Sequence, residues 1–194
     1  MLSRSFALLR MLAEVARIIV ENRLHQDFRS TKPGKKYVTD ITYIPIPNSM
    51  AYISVLLDLY NGEVVAYKIS QSLDRSLSVD VVQELAARRS LKGSLIHSDQ
   101  GIHYTNREYH QLLKSKSIIQ SMSRKGNCWD NAMVENFFSH LKCECVRLVK
   151  RSFRSFLDVV EAVEGYIRFY NEERPQLRLN GLSPVTFRQQ SVIF

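Results

Sequence analysis

Cysteine is scarce in this chain: Cys128, Cys143 and Cys145 are the only three in 194 residues. An odd number without regular spacing excludes a disulfide framework and points to a reducing compartment, the cytoplasm. Cys128, His140, Cys143 and Cys145 are zinc-type ligands, but a one-residue gap on a helix turns the last two thiols to different faces, so ordinary cysteines are expected. Long apolar runs are also missing. Met1 to Val20 has the apolar content of a signal peptide, yet Arg10, Glu14 and Arg17 break it up well short of the roughly 20 residues that span a bilayer. No membrane partner is expected. Repeats and compositional bias are absent: 45% hydrophobic and 24% charged residues describe a chain that folds. Its length suits one well-buried core with appendages and not two full-sized domains. Acids are the minority charge, with 19 Asp and Glu against 27 Lys and Arg and a formal net charge of +8. A basic surface attracts phosphates and gains from counterion release on contact, which favours a nucleic-acid partner; solubility is the other account of the same charge.

What is present is strong periodicity. Phe6, Leu9, Ala13, Ala16, Val20 and Leu24 recur at helical steps, so residues 1–24 are expected to form an N-terminal helix. Arg29 to Lys36 carries four basic residues, no acid and a Pro-Gly turn signal, and residues 25–36 form a basic linker. Tyr37 to Ile44 is a strand rich in Val, Thr, Tyr and Ile, closed by Pro45 and Pro47. Ala51 to Leu59 and Glu63 to Ser70 are strands joined by a turn containing Asn61-Gly62, a strong hairpin signal. A helix through Val79, Val82, Leu85 and Ala86, a short buried strand from Ser94 to His97, a helix through Tyr109, Leu112 and Leu113, and a strand from Ser117 to Gln120 follow. After a polar loop, Val134, Phe138, Leu141, Cys145 and Leu148 mark one face of a long helix whose first turn holds Glu135. A second long helix runs from Phe153 to Tyr170, ended by Arg174-Pro175. Residues 37–150 therefore form the core and 151–194 a helical extension. Right-handed crossovers turn this order into a mixed five-stranded sheet, the α/β arrangement of the ribonuclease H-like fold, which sets Asp40 and Asp99 on neighbouring strands.

Four separated motifs carry a resemblance. Thr39-Asp40-Ile41-Thr42-Tyr43-Ile44, Leu57-Asp58-Leu59-Tyr60, His97-Ser98-Asp99-Gln100-Gly101 and the run from Ser121 to Ala132 resemble the integrase-like core of the DDE transposases of bacterial insertion sequences, orfB type. Thirty-five residues separate Asp99 from Glu135, the spacing known for that subclass, and Tyr170-Asn171-x-x-Arg174-Pro175 and Ser183-Pro184-x-x-Phe187 resemble its C-terminal signature. The resemblance implies metal-dependent DNA cleavage and strand transfer. It assigns Asp40, Asp99 and Glu135 as catalytic metal ligands for two Mg²⁺, with Mn²⁺ as substitute. DNA is the implied partner, with a homo-oligomer in the active complex and a companion transposase subunit as a further partner. Two metal ions roughly 3.5–4 Å apart stabilise the attacking and leaving oxygens of a phosphoryl transfer, and hard carboxylates suit them.

The remaining candidates follow from position and charge. Lys142 is two helical turns beyond Glu135 on the same face, and the family is usually basic there. Lys35, Lys36, Arg124, Lys125, Arg147, Lys150 and Arg151 complete the candidate DNA contacts. His97, Gln100 and Asn131 support the acids from behind, and Trp129 either stacks on a base or packs. Tyr37 stands where the family usually has tryptophan, and Gln176 where histidine is common. Family members carry a helical recognition region before the core; only about two dozen residues precede it in this chain, an expectation of truncation. Two other functions compete: a ribonuclease H-like nuclease or resolvase, and a truncated DNA-binding remnant that does not transpose.

Overall fold

A computed structural model describes residues 17–147 and 153–191, and its centre is a five-stranded mixed sheet. Strand β1 (Lys36–Ile46) pairs antiparallel with β2 (Ser49–Asp58), which pairs antiparallel with β3 (Val64–Ser70). Helix α1 (Ser76–Arg88) crosses to β4 (Leu95–Ser98), and α2 (Arg107–Ser115) crosses to β5 (Ile119–Met122), both parallel additions that give the order β3-β2-β1-β4-β5. Helix α3 (Ala132–His140) continues as a π-helical stretch, Leu141–Arg147; α4 (Phe156–Glu172) and α5 (Pro184–Ser191) complete the described chain.

Strand alternation divides the core into two layers. One face of the sheet, with Val38, Ile44, Ile53, Val55 and Leu57, packs on Val134, Phe137 and Leu141 of the α3 segment and on Val159, Val163 and Ile167 of α4. The other face, with Tyr37, Leu56 and Ile96, packs on Val79, Val82 and Leu85 of α1 and Tyr109 and Leu113 of α2. Asp40 has the parity of Val38, and Asp99 that of Leu95 and His97. Both acids therefore face the layer that contains α3.

Two expectations change. The N-terminal helix lies outside the described residues as far as Ala16, but Arg17 to Arg23 is not helical. Ile18 N–H donates to the Thr105 carbonyl, and Met122 N–H to the Glu21 carbonyl, so this segment covers the open edge of β5. An unpaired strand edge satisfies backbone groups that a helical period in the side chains does not report. Leu24, expected as the last residue of that helix, is buried in the core. The second change concerns Pro45, which does not end β1: it pairs with Met50. Beyond Val38 the strand has no partner in β4, and proline's missing N–H is tolerated on such an open side.

Candidate active site

Register brings two of the three acids level. Val38 pairs with His97 in the parallel β1–β4 ladder, so two steps on, Asp40 stands beside Asp99, just past the end of β4. Glu135 is in the first turn of α3, exposed, where the helix N-terminus favours a negative group. All three line one cleft of about 520 Å³, together with Gln100, Gly101, Arg124, Lys125 and Asn131.

The acids differ in surroundings. Burial, with Asp99 and Glu135 nearby, pushes the Asp40 carboxyl up to about 7, against the Ile41 N–H and Lys142. Asp40 Oδ1 accepts that N–H at 2.8 Å, and Asp99 Oδ1 accepts the Gly101 N–H at 2.8 Å. Among the described residues no three His, Cys, Asp or Glu side chains stand close enough to hold an ion as they are. Convergence around one cleft is present; a tight cluster is not. The Ile41 and Gly101 N–H groups each hold one of the aspartates. The donor set nonetheless fits a hard divalent ion: three carboxylates and the Asn131 Oδ1, which is buried in the cleft wall without a hydrogen-bond partner.

The supporting residues are fixed by hydrogen bonds. His97 is fully buried, its ring nitrogens 2.8 and 3.1 Å from the Ser121 and Ser123 hydroxyls, and burial lowers it to about 4. It is a neutral clamp between β4 and β5 and does not line the cleft. Gln100 Nε2 donates to the Ser123 carbonyl at 2.9 Å, tying the Asp99 loop to the loop before α3.

The basic candidates separate. Lys125 is exposed on the cleft, and Lys142 sits over the Tyr43 ring, 5.0 Å from its centroid. Arg124 also lines the cleft, but its guanidinium is held by Asp130 at 3.1 and 3.2 Å. Lys35 and Lys36 are at the opposite end of the β1–β4 pair, because Lys36 stands level with Leu95 and not with Asp99. Lys36 is also paired with Asp27 at 2.6 Å. These two linker lysines are therefore not brought to the cleft. Lys150 and Arg151 lie outside the described residues, as do the side chains of Trp129 and Arg147.

Several positioning contacts join residues far apart in the chain, some of them inside the motifs without an assigned role. Asp130 is fully buried and accepts five hydrogen bonds, from Asn22, Gln26 and three nitrogens of Arg124. Glu144, on the π-helical stretch after α3, is gripped by Arg174 and by the Tyr166 hydroxyl. Asn171 both donates to and accepts from the Val64 backbone, docking α4 on β3. Phe187 packs on Tyr60, and Asn61 Nδ2 donates to the Pro184 carbonyl, so α5 seals the β2–β3 turn. The C-terminal motifs thus hold the helices that bear on the site. Only their unusual residue combinations signalled them.

Comparison with known proteins agrees with this architecture. Residues 30–128 match one model described as an integrase core domain, and residues 135–192 match a second of the same description. An uncharacterized transposase-like protein of Haemophilus influenzae is 38% identical over 174 residues, covering 90% of this chain and 80% of that protein. InsF, the transposase for insertion sequence IS3fB of Escherichia coli, is 35% identical over 176 residues, covering 90% and 60%. InsK, assigned to insertion sequence element IS150 of Escherichia coli, is 39% identical over 171 residues, and the chain spans 60% of its length. Among solved structures, the simian T-cell lymphotropic virus intasome in complex with the PP2A regulatory subunit B56 gamma gives a TM-score of 0.70 at 16% identity, covering 89% of this chain and 59% of that one. The HTLV-2 integrase catalytic core with magnesium gives 0.59 at 16% identity, covering 81% and 98%. The fold is ribonuclease H-like, and the chain belongs to the integrase core domain family that transposases of bacterial insertion sequences share.

Proposed function

We propose that this chain is the catalytic core of an insertion-sequence transposase that cuts DNA and joins the freed end to a second site. The observation that carries the reading is the shared cleft: carboxylates from two adjacent strands and one helix, with exposed Lys125 at the wall. Asp40, Asp99 and Glu135 would hold two Mg²⁺ or Mn²⁺. When bound, such ions neutralise charge on the phosphorus and on the oxygens entering and leaving it. In the first step a water oxygen forms a bond to phosphorus while the bond to the 3′ oxygen breaks, leaving a 3′-hydroxyl and a 5′-phosphate. In the second, that hydroxyl attacks a target phosphodiester in line, and the displaced target 3′ oxygen takes up a proton as the attacking one loses its own. The protein's part is positioning. Asp40 is central because it is on the middle strand, beside Asp99, and faces the layer that contains α3. Lys125 and Lys142 bind phosphate oxygens on either side of the reacting one, and Gln100 keeps the Asp99 loop against the loop before α3.

DNA is then the partner, in the bacterial cytoplasm, with a second copy of the chain and a companion subunit supplying further end recognition. No helix among the described residues is long and apolar enough to cross a membrane. Incubation of the protein with labelled, pre-cleaved DNA ends and Mg²⁺ or Mn²⁺ tests the reading directly. Joined product is expected. Asp99→Asn keeps the side chain's size and should lower joining by orders of magnitude, since several kcal/mol of charge stabilisation are lost, while DNA affinity stays within about threefold. Cleavage without any joining would indicate a nuclease or resolvase, and near-wild-type joining by Asp99→Asn would overturn the three-acid assignment.

A further inference from the structure

We infer that the cavity on the other flank of the catalytic helix is a nucleobase site. It takes a base displaced from the DNA stack near the reacting phosphate, with Leu177 as the wedge and the Gln176 amide as the reading group. The inference rests on the DNA-joining reading above and adds a binding site to it.

Met133, Asn136 and His140 of α3 form one wall of this cavity of about 340 Å³; Tyr170, Gln176 and Leu177 form much of the other. Asn136 directly follows Glu135, so the catalytic cleft and the cavity share a helix. A helix with its side chains is about 10–12 Å across, which about three nucleotides span at about 3.4 Å each along a strand.

Gln176 is 7% exposed, and its Nε2 has no hydrogen-bond partner. Burial raises the neighbouring Tyr170 hydroxyl above its ordinary range, with Arg178 and the Gln176 amide acting the other way. Its orientation is not ambiguous. Arg178 Nε donates to Gln176 Oε1 at 3.0 Å, and a guanidinium can only donate, so the nitrogen must face away from it. A buried donor without an acceptor is destabilising, and a ligand bearing an acceptor relieves it. Every nucleobase has such an acceptor on an edge, and apolar walls such as Leu57 and Met133 suit its faces.

Leu177 is 97% exposed at the start of a 3₁₀ turn, Leu177–Leu179, and follows exposed Pro175. An exposed leucine alone means little. One that projects beside a cavity with an unmet donor, on the flank of a catalytic helix, has the form of the apolar wedges that part base steps. Arg178 is bound to uncharged oxygens, Gln176 Oε1 and the Asn61 carbonyl, and its charge remains for a phosphate. A side chain from a second copy would fill the same apolar walls, but neither the positive charge nor the donor calls for one.

The test uses duplexes with a 3′-dideoxy end, which cannot join, and 2-aminopurine at successive positions from that end. On binding of the wild-type protein, fluorescence should rise at one position within about three nucleotides of the reacting phosphate. Leu177→Ala, which removes no buried contact, should abolish the rise. Gln176→Glu retains the acceptor for Arg178 and removes the donor. It should weaken binding of intact duplex by roughly tenfold more than binding of a duplex abasic at that position, because added charge repels both alike and only the intact one loses a base contact. Binding without a position-specific rise would overturn the base site and leave the DNA-joining reading standing; absence of any binding would overturn both. Equal weakening of intact and abasic DNA by Gln176→Glu would overturn the role of the amide. If Leu177→Ala altered sedimentation of the DNA-free protein but not the fluorescence, the cavity would be a contact between copies and the base site would be wrong.

Discussion

Asp40, Asp58 and Asp130 are three acids set into the same core, and their partners separate their roles. Asp130 accepts five hydrogen bonds and an ion pair with Arg124, so its charge is fully used within the protein. Asp58 accepts the Gly34 and Tyr60 N–H groups and anchors the linker to the end of β2. Asp40 has one backbone donor and two like charges beside it, surroundings that a bound cation would relieve. Arg124 and the neighbouring amides hold the Asp130 carboxyl well below the usual range. A depressed native value means that the unfolded state binds the proton first, so this stabilisation is complete above about pH 4 and is lost as pH falls from there toward the native value. Asp130→Ala should lower unfolding free energy by about 2–4 kcal/mol at neutral pH, chiefly because Asn22, Gln26 and the Arg124 N–H lose their acceptor, with little from the exposed guanidinium. The urea midpoint measures it. The gap between wild type and variant should narrow between about pH 5 and pH 2; a constant gap would show that Asp130 acts by packing alone.

At the scale of elements, α3 and its continuation depend on a helix that follows them in the chain. Arg174 grips Glu144 through both Nε and Nη2, and Tyr166 adds its hydroxyl, so α4 and the turn after it fix the π-helical continuation of α3. Arg174→Lys keeps the charge but loses the planar fork, and should not rescue what Arg174→Met removes. Both should raise amide exchange across Leu141–Arg147 by at least about tenfold and lower joining more than DNA binding; protection equal to wild type would make the pair incidental. This contact also marks what the sequence could convey. Strand and helix order, the hairpin at Asn61-Gly62 and the two acids on neighbouring strands follow from local period and turn chemistry. Glu144 with Arg174, and Asn22 and Gln26 with Asp130, are pairs distant in the chain, and no periodicity reports them. Arg17 to Arg23 misled for a related reason. Its apolar spacing is helical, but the open backbone edge of β5 decides its conformation.

Across the whole molecule, the net charge of +8 makes a polyanion attractive, and the proposed site at the acids selects which charges would meet DNA. Lys125 on the cleft and Lys142 beyond Glu135 flank the acids, whereas Lys36 is four rungs back along β1, roughly 13 Å at about 3.3 Å per residue, and is neutralised by Asp27. Each phosphate neutralised by a lysine adds about 0.9 to the slope of log affinity against log salt concentration. Lys125→Ala and Lys142→Ala should therefore each flatten that slope by nearly one unit and weaken binding several-fold at low salt. Lys36→Ala should leave the slope unchanged, since the lysine releases no counterion while its partner stays in place. Filter binding or anisotropy between about 50 and 200 mM salt covers the range in which such slopes are resolved. If Lys36→Ala flattened the slope as much as Lys125→Ala, the duplex would have to run along the whole of the β1–β4 pair, and the contacts proposed at Lys125 and Lys142 alone would be wrong. If none of the three did, charge would serve solubility alone, and affinity would have to come from contacts that salt does not screen.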